Sequence, residues 1–501
     1  MADKACNEVV TAANMPMTVF DMISAMRNKY ADRVAFRYVE GKDTVVEKTY
    51  AQYVQDIRKV TGCLQQELGE PKGKKIVILS RTNYEYGAVV FGTMMAGAVI
   101  VTLNQGKTWA ELEYELGMVE PDLIFNDGID YGYRAQLEAL YGARLRPMDA
   151  WTAAPEAEMV NRIDHEGLLM LMFTSGTTGR SKGVMLSEKN YFTACQMYIN
   201  GQKDILDQEK RLAPQYLDRN FSHFTLVPMF HLSGFICYFA YGMHGWTLNL
   251  CCDARDLRRD MSLMHSDAMS TPPVLVEMIY NEIKRGHADR LNGLWNLSCS
   301  SAILDPHLSD LVKNGFYIES MLLHDRAGRL WPAERGPGGR PLRALGKPDG
   351  FCEVKVDETG EICVRGGCVM LGYYKDSETT AETIDKDGWL HTGDLARVDE
   401  EGYYYMTGRK KNLIILDSGE NVSPEELEKL LGKCDAIKEC IVKEMGKKIG
   451  TVVCCEDDKQ QQVKAFVTEL NRTLPMYKRI SVVECSAEPL PRNALGKLLR
   501  K

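Results

Sequence analysis

The sequence has no excess of positive charge: 61 Lys and Arg stand against 69 Asp and Glu, a formal charge of -8 at pH 7. No basic field therefore argues for a nucleic-acid partner. The fifteen cysteines contain no Cys-x-x-Cys spacing, although vicinal pairs occur at Cys251-Cys252 and Cys454-Cys455. Zinc ligation and a secreted disulfide framework are not expected from that pattern, and free thiols in a reducing cytosol are. The N-terminal MADKACNEVV lacks an apolar signal core, so a cytoplasmic location is expected. Internal repeats and long low-complexity tracts are also missing.

Long apolar runs are nearly missing too. Residues 86–103 carry no charge over eighteen positions, close to the ~20 a membrane helix needs. They divide more naturally. Residues 75–79 read as a strand, 83–96 as a buried helix, Gly97 as its stop and 98–101 as a β-branched strand. That is a βαβ unit of an open parallel sheet, and no membrane span is expected.

At 501 residues the chain should hold more than one domain. Helices and strands alternate through the first half. Thr49 with Gln52 and Thr108 with Glu111 form capping boxes, and Ser187 caps a helix from 188 to about 199. Strands are expected at 123–125, 224–227 and 247–250. After Asp325 the texture turns rich in Gly, Pro and Arg, and short strands follow at 352–356, 361–365 and 403–406. Ser423-Pro424-Glu425-Glu426 is a helix start with cap, proline and capping-box Glu. Strands at 437–442, 451–455 and 480–484 and a helix at about 460–470 complete a final α+β lobe. That lobe, from Lys411 onward, has 16 basic and 14 acidic residues, a net of +2.

The most unusual stretch is FTSGTTGRSKGV, residues 173–184, with eight Gly, Ser and Thr residues. Glycines let backbone N–H groups approach an anion, hydroxyls add donors, and Lys182 adds charge. The common ATP-binding loop is excluded, because Gly179 is followed by Arg180-Ser181-Lys182-Gly183 rather than Lys-Ser/Thr. Residues 184–186 read as a strand, so the loop looks like a hairpin connection over a triphosphate. Further on, GWLHTGDL presents an exposed-looking Thr392-Gly393-Asp394, whose carboxylate suits vicinal ribose hydroxyls. A basic turn, Gly408-Arg409-Lys410-Lys411-Asn412, precedes an apolar strand, and PLPRNALGKLLRK ends the chain with Gly496-Lys497.

These elements occur in one order: phosphate loop, Asp turn, Arg-Lys turn, final Gly-Lys. TSGTTGRSKGVMLS, GYYKD…GWLHTGDL, GRKKNLIILDSGENVSPEELE and PRNALGKLLR resemble the signature stretches of the adenylate-forming superfamily. That superfamily includes acyl-CoA synthetases, peptide-synthetase adenylation domains and firefly luciferase. The resemblance runs from about residue 18 to 501. It implies an α/β fold: a large N-terminal domain, 1–410, of parallel-rich sheets with helices, including a small β subdomain at about 331–410. A small mobile α+β domain, 411–501, follows.

The resemblance also implies a two-step reaction. A carboxylate attacks the α-phosphate of Mg-ATP, giving an acyl-adenylate and pyrophosphate, and a thiol then takes the acyl group. Thr174, Ser175, Gly176, Thr177, Thr178, Gly179 and Lys182 hold the phosphates. Asp394 holds the ribose with Arg409 nearby, and Lys497 bridges carboxylate and phosphate oxygens. Lys411 is the hinge of the small domain, and His231 in VPMFHLSG lies beside the acyl carboxylate.

Two stretches depart from the family pattern. Cys299-Ser300-Ser301-Ala302 stands where Gly-Gly-Ala is usual near adenine. A Tyr-Gly-x-Thr-Glu stretch normally follows, and the nearest text is Gly315-Phe316-Tyr317-Ile318-Glu319-Ser320. In one register Glu319 takes the Mg2+ role and Ile318 stands at the Thr. In the other, Phe316 restores the aromatic and Ser320 stands at the Glu. A relative that binds nucleotide or acyl groups without turnover is the alternative this raises.

Amino-acid-activating relatives carry Phe-Asp-x-Ser, where this chain reads Phe230-His231-Leu232-Ser233. With His231 in place of Asp, an α-ammonium would be buried unpaired. Apolar residues follow at Phe235, Ile236, Tyr238, Phe239, Tyr241 and Met243. As pocket wall they favour a fatty or aromatic acid, and otherwise they are a core helix. Coenzyme A is the expected thiol, with a separate carrier protein as the alternative.

Overall fold

A computed structural model describes residues 10–11, 14–174, 181–208, 220–271, 273–300, 311, 317–321, 323–324, 328–329, 334–335, 347–348, 350–415, 421–446, 448–492 and 498–499. The chain divides into two compact units: Met1–Val354 with Val364–Leu390, and Lys355–Cys363 with His391–Lys501.

The charge-free stretch forms the centre of the first unit. Asn83 accepts a hydrogen bond from Tyr86 N and starts the helix Tyr84–Met95, every residue of which except Glu85 is buried. Strands Lys75–Leu79 and Val99–Thr102 on either side of it in sequence pair in parallel. The expected βαβ unit is therefore present, and no described helix is long and apolar enough to cross a membrane. A second helix, Tyr50–Leu68, begins at the Thr49–Gln52 capping box and packs on the first. Gly92 permits that approach, because a Cβ there would lie 2.4 Å from Val60 Cβ.

Two sheets organise this unit. The seven-stranded one runs Gly372–Tyr373, Lys182–Leu186, Met170–Thr174, Val99–Thr102, Lys75–Leu79, Leu123–Asn126, Leu145–Pro147. The eight-stranded one runs Glu334–Arg335, Tyr317–Met321, Asn296–Ser300, Ala268–Thr271, Ser222–Thr225, Thr247–Leu250, Val34–Glu40, Thr44–Thr49. Both are parallel-rich with antiparallel edges. Central strands such as Lys75–Leu79 read as continuous apolar runs because helices cover both faces.

Several expectations need correction. The helix capped by Ser187 is Glu188–Gln208, longer than expected, because it runs through the stop signal Asn200-Gly201. The strand expected at 224–227 is Ser222–Thr225. Cys352 and Cys368 are joined as a disulfide rather than free. The apolar residues after His231 are buried and packed among other aromatics, as the core-helix reading expects. On the helix Leu232–His244, Phe239 lies 4.1 Å from the Tyr191 ring and 4.8 Å from Phe91. Tyr238 packs near Phe36, and Tyr241 stacks on His223.

In the second unit, Glu439–Glu444 and Ile449–Cys454 pair antiparallel, and Val482–Ser486 joins in parallel. Helices Pro424–Leu431 and Gln460–Thr473 cover an apolar core that includes Leu427, Leu431, Val442, Ile449 and Val467. This is the expected α+β lobe, but the compact unit begins at His391 and takes in 355–363, rather than beginning at Lys411. The reason is the strand Tyr404–Arg409. Ser423 Oγ donates to Thr407 O at 2.7 Å, which ties that strand to the start of the helix Pro424–Leu431. The same bond corrects the capping expectation: Ser423 is the N-cap residue but its side chain caps no helical N–H.

Candidate functional site

In the first unit the phosphate stretch is a hairpin, as expected. Strands Met170–Thr174 and Lys182–Leu186 pair antiparallel, with Thr174 opposite Lys182. Ser175, Gly176, Thr177, Thr178 and Gly179 lie outside the described residues. The neighbouring edge strand Gly372–Tyr373 pairs with the outgoing strand and sets the surroundings of Lys182. Lys182 Nζ is 3.4 Å from Thr379 Oγ1 and 5.3 Å from the Tyr373 ring centroid. Among the described residues no carboxylate pairs with it. The Asp376 carboxyl is held below its usual range by the Thr379 N–H and hydroxyl, with a weaker pull from the Lys182 charge. A cation at a loop exit with no carboxylate partner is suited to an anionic ligand.

His231 also belongs to this unit. It is the N-cap residue of the helix Leu232–His244. Its N–H donates to Pro228 O at 3.1 Å, and its ring centroid is 4.7 Å from that of Phe230. Thr82 Oγ1 accepts from Met229 N at 3.0 Å and steadies the turn. Glu319 lies on the strand Tyr317–Met321, in register with Ser298 on one side and Arg335 on the other; its side chain is outside the described residues.

The second unit brings Asp394 and Arg409 together. They are cross-strand partners on Leu390–Val398 and Tyr404–Arg409, with Arg409 Nε 2.9 Å from Asp394 Oδ1. The expectation of an exposed turn is corrected, since Thr392 and Asp394 are each 3% exposed within a strand. Gly393 keeps a positive φ of +78°, which a residue with a Cβ tolerates poorly. Its N–H donates to Glu361 Oε1 at 2.7 Å. Thr392 Oγ1 donates to Ile362 O at 2.8 Å and accepts from Asp394 N at 3.1 Å. The backbone that carries Asp394 is thus clamped on both sides of the glycine.

Glu361 is the residue that motif reading missed. Thr359-Gly360-Glu361 looks like an ordinary turn leading into a strand. Its carboxylate is buried, and it also accepts from Lys410 Nζ at 2.7 Å. That bond raises the Lys410 ammonium above its ordinary value. Asp357, Cys363 and His391 bring one ligand-type atom each to within 4.8 Å of one another. With Lys410 already on the adjoining Glu361, positive charge is supplied there by the chain itself. Lys411 sits in the short turn Lys410–Asn412, after the strand that carries Arg409. Lys497 lies outside the described residues.

Known proteins extend this picture. The family described as "AMP-binding enzyme" matches residues 24–322. Among similar proteins is "Peroxisomal OPC-8:0-CoA ligase 1" of Arabidopsis thaliana, 26% identical, with 90% of this chain and 87% of that protein covered. "4-coumarate--CoA ligase-like 2" of the same plant is 27% identical, covering 89% and 84%. "Sulfoacetate--CoA ligase" of Cupriavidus necator is 27% identical, covering 86% and 87%. The fold matches ATP-bound MatB from Rhodopseudomonas palustris with a TM-score of 0.81 at 22% identity, over 97% of both chains. It matches O-succinylbenzoate coenzyme A synthetase from Bacillus subtilis, in complex with AMP, with a TM-score of 0.78 at 21% identity, over 96% and 97%.

Proposed function

Because this chain belongs to the AMP-binding enzyme family, whose match spans more than half of it, we propose that it is an AMP-forming ligase joining a carboxylic acid to coenzyme A. A carboxylate oxygen attacks the α-phosphorus of ATP, the bond to the β-phosphate oxygen breaks, and pyrophosphate leaves. The sulfur of coenzyme A then attacks the acyl carbon of the adenylate, and AMP leaves. The observation that carries the reading is Lys182, a cation at the hairpin exit with no carboxylate partner among the described residues. The names of the relatives, all CoA ligases, favour coenzyme A over a carrier protein.

In this reading Thr174, Ser175, Gly176, Thr177, Thr178, Gly179 and Lys182 grip the β- and γ-phosphates as they become a leaving group. Asp394, already fixed by Arg409 and the Thr392–Gly393 clamp, accepts from the ribose hydroxyls. Lys497 neutralises charge as the two anions meet, and Lys411 is the pivot about which residues 411–501 change face between the two steps. Glu319 is the residue assigned to Mg2+, which when bound offsets phosphate charge.

The acid is proposed to be fatty or aromatic rather than an amino acid. The support is His231 at the Asp position, since an imidazole offers an α-ammonium no anionic partner. The test is exchange of labelled pyrophosphate into ATP, without coenzyme A, over a panel of fatty, aromatic and amino acids. Exchange stimulated most by a free amino acid would overturn the substrate class. Lack of exchange with every acid would leave a binder without turnover.

A further inference from the structure

A polar cluster that the proposed reaction does not use lies against the exit of the phosphate hairpin, where Lys107, Glu115 and Ser181 meet. The helix Trp109–Val119 buries Leu112, Glu115, Leu116 and Val119. Three of these join the apolar core of the first unit. The fourth is a carboxylate with 0% exposure. A charge is kept in such a place only with a partner, because removing it from water costs several kcal/mol. The partner is Lys107, whose ammonium pairs closely with Glu115 Oε1. The other oxygen, Oε2, is buried with no partner among the described residues.

Lys107 does a second thing. Its Nζ donates to Ser181 Oγ at 3.2 Å. Ser181 directly precedes Lys182, the cation with no carboxylate partner among the described residues. An ammonium has three N–H donors, so one remains after Glu115 and Ser181. Buried pairs of this kind are often replaceable by apolar residues of similar volume without loss of stability. This one joins the turn before the helix Trp109–Val119 to the residue just before the outgoing strand.

Resting on the proposed use of ATP, we infer that Lys107 is a positioning residue for the nucleotide phosphates: Glu115 fixes its ammonium, and the ammonium fixes Ser181 and with it the backbone that presents Lys182. Nothing in the motif pattern marks Lys107 or Glu115, which lie about seventy residues before the loop.

The test is the affinity of the full chain for MgATP by calorimetry, with unfolding temperature measured in parallel. Lys107→Met should weaken MgATP about tenfold, the effect of losing one charge-assisted hydrogen bond, and Lys107→Arg should recover most of it. The variant Lys107→Met/Glu115→Leu removes both charges. It should regain the wild-type unfolding temperature yet keep the weakened binding, which a purely structural pair would not. Ser181→Ala probes the same link without disturbing the buried carboxylate. It should weaken MgATP to a similar degree and add nothing to Lys107→Met. Wild-type affinity in the double variant or in Ser181→Ala would overturn the inference while leaving the function standing. A wild-type chain that binds no MgATP would remove both.

Discussion

In the proposed function a ribose joins the Asp394–Arg409 pair rather than breaking it. The carboxylate is almost fully buried, one of its oxygens faces Arg409 Nε, and its backbone is held through Glu361. Asp394→Asn keeps the shape but loses the anionic acceptor. It should cost about 1.5–3 kcal/mol of ATP binding, a rise in KM for ATP of roughly ten- to a hundredfold, with KM for the acid little changed. An unchanged KM for ATP would show that Asp394 is structural. A second residue-scale effect concerns His223, which is buried and stacked on Tyr241 and accepts from Ser270 N at 3.0 Å. Burial depresses it from 6.5 to about 3, and His244 is depressed likewise. Above pH 6.5 both folded and unfolded chains are neutral at these sites. Below it the unfolded chain takes up protons that the folded chain refuses. Stability is therefore full above about 6.5 and lost as pH falls toward 3, by up to about 1.4 kcal/mol per unit for each histidine. Urea midpoints at pH 7 and pH 5 should show the fall, and His223→Leu should make it shallower even if the baseline drops. An equal slope in both proteins would mean His223 is not the group responsible. At this scale the sequence singled out Asp394 and Arg409, which the structure pairs across two strands, but misjudged the exposure of Asp394, because its burial comes from strands distant in the chain. Glu361 went unseen for the same reason.

Elements were more legible. Residues 86–103 read correctly as buried helix and strand because Asn83 and Gly97 punctuate them. The hairpin at 174–182 followed from β-branched and apolar residues after a loop with the wrong spacing for a helix. The helix starting at Glu188 was underestimated because it runs through the local stop signal Asn200-Gly201, and the helix that carries 235–243 is packed into aromatic neighbours from distant parts of the chain. The crossing of helices Tyr50–Leu68 and Tyr84–Met95 offers a test of packing at this scale. With Val60 Cβ and Cγ1 2.4 and 2.5 Å from where a Cβ would stand, Gly92→Ala should overpack the crossing. A loss of about 1–3 kcal/mol is expected in urea unfolding. A neutral or stabilising result would mean that the helices lie further apart.

For the whole molecule, the proposal is that one chain carries out two chemistries by turning residues 411–501 about Lys411. The compact unit that contains Asp394 begins earlier, at His391, so the pivot and the unit boundary are separate properties. Lys411→Pro fixes φ and removes a donor. It should spare acyl-adenylate formation and block transfer to coenzyme A. Lys497→Ala should do the reverse, abolishing adenylate formation while preformed acyl-adenylate is still converted to thioester. Rapid mixing with synthetic acyl-adenylate separates the two steps, and equal loss of both steps in both variants would mean a single fixed active site.

The central claim is the ligation itself, and product analysis tests it most directly. The chain is incubated with MgATP, coenzyme A and a panel of carboxylic acids, and phosphorus resonance and mass spectra are recorded together. The account predicts AMP, pyrophosphate and acyl-CoA in equal amounts with at least one fatty or aromatic acid. Formation of ADP and phosphate instead, or acyl-adenylate that never becomes a thioester of coenzyme A with any acid, would contradict it.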